Sequence, residues 1–187
     1  MEYDGTVFYH TSVASSRQVS TTMQFATVQG SDVSLTNNIT TAQNVFASAN
    51  DVLSLAASTT YMFELFLVIA TGATTHTTAL GLVASSAFTS IRYMAELWST
   101  TAGTISTTAP SILDVTTSAA TVLNATSTAT LTTIRAKGII RTNAASTVTP
   151  QITFSAGPTG TCAVKTDSTF RIWPIGSNTI AAVGNWA

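Results

Sequence analysis

The sequence predicts an all-β protein, and three observations carry the prediction. Apolar residues recur with period two in nearly every hydrophobic segment, as in strands with a buried face. β-Branched residues dominate those segments, and Thr alone makes up about a fifth of the 187 residues, which favours strands over helices. Clusters of Gly, Asn, Pro and Ser separate the segments at short intervals, the punctuation of a sandwich or barrel.

Taken in order, Glu2 to Tyr9 reads as a β-hairpin, with Asp4-Gly5 as a type I′ turn between aromatic strands. The polar stretch 11–22 reads as a linker, so the chain divides into a hairpin with linker over 1–22 and a main domain over 23–187. Strands are expected over 23–28, 33–35, 44–46, 52–55, 61–70, 75–83, 90–98, 131–141, 147–154, 161–165, 168–173 and 179–183. The Thr/Ser/Ala-rich stretch 100–128 is expected to form a long loop with a short strand near 112–115. No fixed-period repeat is present, which argues against a solenoid.

The faces of these strands differ. In most, one face is apolar and the other polar. In 131–141, for example, Ile134, Ala136, Gly138 and Ile140 oppose Arg135, Lys137 and Arg141. Segment 61–70 departs from this. Tyr61, Phe63, Leu65, Leu67 and Ile69 line one face, and Met62, Glu64, Phe66 and Val68 the other. A strand in a two-layer sandwich has one face on its own core, so the second needs a cover. A subunit interface involving Tyr61, Phe63, Glu64 and Phe66 is the expectation, with Arg92 and Arg135 among the cations available to Glu64. The alternative is that loop 100–128 covers this face within one chain.

Composition removes several function classes. Charged residues are 8% of the chain and the net charge is −1, against about 25% charged residues in ordinary soluble domains. No basic patch for nucleic acid is visible, and the 45% hydrophobic content argues against disorder. The first residues lack the basic and apolar regions of a signal peptide. Segment 61–70 is too short to span a membrane, so no membrane insertion is expected. Asn-X-Thr sequons at Asn38 and Asn124 read as chance matches in a Thr-rich chain.

Signals of chemistry are weak. No nucleophile elbow, P-loop or dinucleotide fingerprint occurs, and the single Cys162 reads as a small buried apolar residue. No catalytic residue, cofactor or metal site is expected. The sharpest exception is His76, three copies of which would coordinate an ion if they met on a trimer axis. Trp98, Trp173 and Trp186 read as packing residues in preference to a sugar platform. The threonines are too irregular for an ice-binding ladder.

A resemblance extends these readings. Glu2-Tyr3-Asp4-Gly5-Thr6-Val7-Phe8-Tyr9 resembles the collar that follows the shaft in tail-fibre-like proteins of tailed bacteriophages. The body resembles their distal domain in Asn50-Asp51-Val52-Leu53-Ser54-Leu55, Thr59-Thr60-Tyr61-Met62-Phe63-Glu64-Leu65 and Thr74-Thr75-His76-Thr77-Thr78-Ala79-Leu80-Gly81. It does so again in Phe170-Arg171-Ile172-Trp173-Pro174-Ile175-Gly176 and Val183-Gly184-Asn185-Trp186. The strand order is also similar to the jelly roll of the C1q and tumour-necrosis-factor proteins. These motifs span most of the chain, and none is a catalytic signature. The resemblance implies a jelly-roll-like β-sandwich behind a short hairpin collar, assembled as a homotrimer. It implies a virion protein, made in the bacterial host cytoplasm, that attaches to the host surface and meets other virion proteins through its N-terminus. A host glycan or protein would be the receptor, met by polar loops such as 71–75, 99–108 and 143–146. A capsid decoration or head-fibre protein is the alternative, and a glycan depolymerase a more remote one.

Overall fold

The computed structural model describes the backbone of residues 2–3, 8–11, 17–20, 24–27, 31–47, 51–101, 104–105 and 111–179. It describes the side chains of residue 26 and of 31–47, 51–99 and 111–179. Among the described residues every regular element is a strand. In chain order these are β1 (Glu2–Tyr3), β2 (Phe8–Thr11), β3 (Arg17–Ser20), β4 (Gln24–Thr27), β5 (Val33–Leu35) and β6 (Gln43–Asn44). Then come β7 (Leu53–Leu55), β8 (Thr59–Ala70), β9 (Thr78–Ala84), β10 (Ser90–Thr101), β11 (Thr104–Ile105) and β12 (Ser111–Val115). The last are β13 (Thr121–Val122), β14 (Leu131–Thr142), β15 (Ser146–Phe154), β16 (Cys162–Val164) and β17 (Thr169–Ser177).

The body is a sandwich of two antiparallel sheets. The larger has nine strands in a path six strands wide. Its centre is β10–β14–β8, three strands of 12 residues each. β8 is paired with β14 along its full length, and its other edge is shared by β17 and β16. Beyond these lie β4 and β5, and β11 and β12 close the edge of β10. The smaller sheet runs β13–β9–β15, with β6 and β7 sharing the last edge. Pro150 lies within β15 yet opposite the gap between β6, which pairs with Gln151 and Ile152, and β7, which pairs with residues up to Val148. A residue without an N–H is tolerated in a central strand where the neighbouring ladder is interrupted.

The core is built from the facing sides of the two sheets. Phe63, Leu67 and Ile69 of β8 meet Leu80 and Leu82 of β9 and Ile152 and Phe154 of β15 in one buried cluster. Gly138 shapes its centre. It sits in register between Tyr93 and Phe63 on the neighbouring strands. With no side chain there, the two rings reach across it to 5.7 Å in an edge-on contact, and Phe170 joins Phe63 at 5.9 Å. A Cβ at 138 would lie 2.3 Å from both the Arg92 carbonyl oxygen and the Tyr93 Cβ.

One sequence expectation is corrected at the N-terminus. β1 pairs with β2 in the register Glu2↔Tyr9 and Tyr3↔Phe8, and the expected Asp4-Gly5 turn lies outside the described residues. The stretch read as a linker contributes β3, which pairs with β2 and makes a three-stranded sheet. The four residues of β3, Arg17 to Ser20, carry no run of alternating apolar residues, so nothing local marks them as a strand. The expected strand over 179–183 lies, apart from Thr179, outside the described residues.

Candidate functional site: the outer face of the large sheet

The side of the large sheet turned away from the core is where the charge of this chain collects. Alternation places Arg92, Arg135, Lys137, Arg141 and Arg171 there, five of the seven Lys and Arg residues. The register arranges them in rows across the strands. One row reads Arg171, Glu64, Lys137, Met94, Asp114 from β17 to β12, and the next reads Phe66, Arg135, Glu96, Ile112 from β8 to β12. Opposite charges directly across neighbouring strands are favourable pairs.

Glu64 is the centre of the first row. Its Oε1 meets Lys137 Nζ at 3.0 Å, and its Oε2 accepts from Arg171 Nε at 2.8 Å and from Arg171 Nη2. The hydrogen bond from Lys137, then that from Arg171, holds the carboxyl below its usual range, and partial burial opposes them weakly. Arg92 grips Asp114 with two parallel hydrogen bonds of 3.0 and 2.8 Å, which lowers the Asp114 pKa and raises that of Arg92. The Arg135 guanidinium stands over the Phe66 ring at 5.7 Å, in cation–π range. Between these groups lies a shallow depression of about 320 Å³, lined by Glu64, Phe66, Met94, Glu96, Arg135 and Arg171 among others. Met94 and Ile112 are exposed beside it.

The sequence located this face but misassigned some of its members. Glu64, Phe66, Arg92 and Arg135 all lie on it. Tyr61 and Phe63 do not: they are 4% and 0% exposed within their own chain and have no surface to give a neighbour. Side-chain alternation gives a partner only one face of a strand. The cations of Glu64 come from within the chain, from β14 and β17 of the same sheet, one on each side of β8. Nor does the described part of 100–128 cover the face. β12 extends the sheet at its edge and β13 joins the other sheet.

No family model, curated protein or solved structure matches this chain.

The remaining candidates divide by burial. His76 is 2% exposed, its Nδ1 is 2.7 Å from the Thr74 carbonyl oxygen, and the Phe154 ring packs edge-on against it. A ring held inside its own chain does not reach a symmetry axis, as ion binding by three copies of His76 would require. Among the described residues no three His, Cys, Asp or Glu side chains cluster as metal ligands would. Cys162 is buried, and burial raises its thiol pKa. Trp98 and Trp173 are half-buried on the outer face, and Trp186 lies outside the described residues. The three loops chosen as receptor contacts do not share one end. Loop 71–75 lies beyond the Ala70, Leu131, Thr100 end of the large sheet, near which Ser99 pairs with Thr132 inside β10, whereas 143–146 lies beside Ser58 at the opposite end.

Proposed function

We propose that this protein is a virion structural protein, the distal domain of a homotrimeric fibre that attaches to the host surface. One observation carries the assembly part of this reading. Five of the seven Lys and Arg residues collect on a single sheet face together with Phe66, Met94, Trp98, Ile112 and Trp173. Enrichment in Arg, Met and aromatics marks the cores of protein–protein interfaces. The face is five strands wide, about 24 Å by about 33 Å at ordinary strand spacing and rise, or about 800 Å², the area each partner gives to a stable interface. Its mixed charges fit another copy of the same chain better than a uniformly charged partner.

The strand order supports the jelly-roll form of the sandwich. Side by side the large sheet holds β4/β5, β16/β17, β8 and β14, and the small sheet holds β6/β7, β15, β9 and β13. Successive elements alternate between sheets as in a jelly roll, with β10 to β12 added at the β14 edge. The attachment role rests on the resemblance of the collar and distal-domain segments to phage tail-fibre-like proteins.

Two measurements test the reading. Light scattering on the eluting protein is expected to give three times the 19.4 kDa chain mass, and a monomer at micromolar concentration overturns the assembly. Labelled protein is expected to bind cells within a bacterial panel and to lose them when surface glycan is stripped. Binding to capsid shells and to no cells would transfer the protein to the decoration class.

A further inference from the structure

Given the attachment role proposed above, on which this rests, the fold has a direction that picks out one end. β4 runs from Gln24, beside Ile172, to Thr27, beside Thr169, and β17 runs the other way to Ser177, beside Thr59. β4 therefore begins, and β17 ends, on the Thr59 side of the sandwich. Among the described residues the opposite end is formed by the loops 36–42, 71–77, 124–130 and 155–161. These carry no Asp, Glu, Lys or Arg and no Phe, Tyr or Trp.

These loops are tied to one another. Asn37 donates to the Gly160 carbonyl, the Thr74 and Thr159 hydroxyls are 2.7 Å apart, and His76 and Ser127 exchange backbone hydrogen bonds of 3.0 and 2.9 Å. Gly72 is packed so closely that a Cβ there would lie 1.5 Å from the Thr159 carbonyl oxygen. Around these ties Asn38, Thr40, Thr75, Thr126 and Thr159 remain exposed.

We infer that this end is a preorganised binding surface for a neutral glycan. Hydroxyl and amide groups held in place match the donors and acceptors of a sugar. An anionic polysaccharide would find no cation there. A protein partner would find none of the Trp, Tyr or Arg side chains on which protein–protein affinity concentrates. Neutral hydrogen bonds formed in competition with water are individually weak. Each copy therefore binds weakly, and the assembled copies hold by avidity, gaining about 100-fold or more.

The test uses the assembled protein on immobilised dextran, mannan and galactan, with alginate and hyaluronate as anionic counterparts, and on the bacterial panel. Retention is expected on a neutral polymer, unchanged within about twofold on raising salt, because screening acts on charges. Thr75→Glu and Thr126→Glu are expected to weaken cell binding by about tenfold or more through an unpaired charge forced against the ligand. Ala144→Glu, at the opposite end, should leave binding unchanged. Melting curves check that all three variants remain folded. Retention on the anionic polymers alone, or on no polymer, overturns the ligand class. Full cell binding by the two tip variants overturns the site while leaving attachment standing. Failure of the unaltered protein to bind any cell overturns the attachment role and this inference with it.

Discussion

Glu64 shows how much a single residue owes to its neighbours. Alone on an apolar strand it reads as a misplaced charge. In the sheet it is flanked by Lys137 and Arg171 and keeps 27% of its side chain exposed. Exposed pairs of this kind contribute little each, so Glu64→Gln is expected to cost about 1 kcal/mol or less at neutral pH, read from denaturant midpoints. The sign of the pH dependence follows from the lowered pKa. The contribution is complete above the usual glutamate value of 4.5 and disappears as the pH falls through the lower folded value. Asp32, held low by the hydrogen bonds from Lys165 and then the Thr166 N–H, and Asp114, held low by Arg92, act in the same direction. The difference between Glu64→Gln and the unaltered protein should therefore shrink as the pH falls below 4.5. Tyr93 is the opposite case. Its hydroxyl is buried with no hydrogen-bond partner, and burial pushes its pKa up to about 12. Tyr93→Phe removes an unsatisfied group and is expected to stabilise the protein by about 1 kcal/mol. It should also reduce the loss of stability above pH 10, where the unfolded chain ionises this tyrosine first and the folded chain does not.

At the scale of the element, β14 carries the clearest consequence. It lies between the other two long strands, and its outward side chains supply charge to the face while its inward ones fill the core. Gly138 interrupts that inward series, and the rings of Tyr93 and Phe63 close over the gap. Gly138→Ala would push into the backbone of β10, with no flexible side chain to yield. A loss of about 3 kcal/mol, at the upper end of overpacking costs, is expected in thermal or denaturant unfolding. An unchanged melting temperature would mean that the strands separate at that point without strain. In the sequence, Gly138 was legible only as one more small inward residue. Its role depends on two aromatics 45 and 75 positions upstream, which the register brings to either side of it.

At the scale of the molecule, charge and bulk are unevenly placed. Two sandwich ends carry neutral loops, and one broad face carries most of the cations together with Phe66, Met94 and Ile112. If that face joins copies of the chain, Phe66→Glu puts an unpaired carboxylate into the contact and also removes the ring under Arg135. Light scattering is expected to give the mass of one chain for this variant, with its far-ultraviolet dichroism unchanged. A variant that keeps the mass of the unaltered protein would move the contact to another surface. Phe66 is suited to this test because its side chain points away from the core, so the fold does not depend on it.

The sequence by itself determined the all-β class, most strand positions in the body and the alternation of each strand, because period-two patterning and turn residues are local properties. It also singled out segment 61–70 as a strand with two apolar faces. Only the tertiary structure decided what each face meets. Tyr61 and Phe63 went to the core, Glu64 found its cations on adjacent strands, and His76 was enclosed under Phe154. It also decided that loops 71–75 and 143–146 lie at opposite ends. These outcomes depend on which strands become neighbours and in what register, and pairing over a hundred residues of separation, such as Arg171 with Glu64, leaves no local trace in the chain.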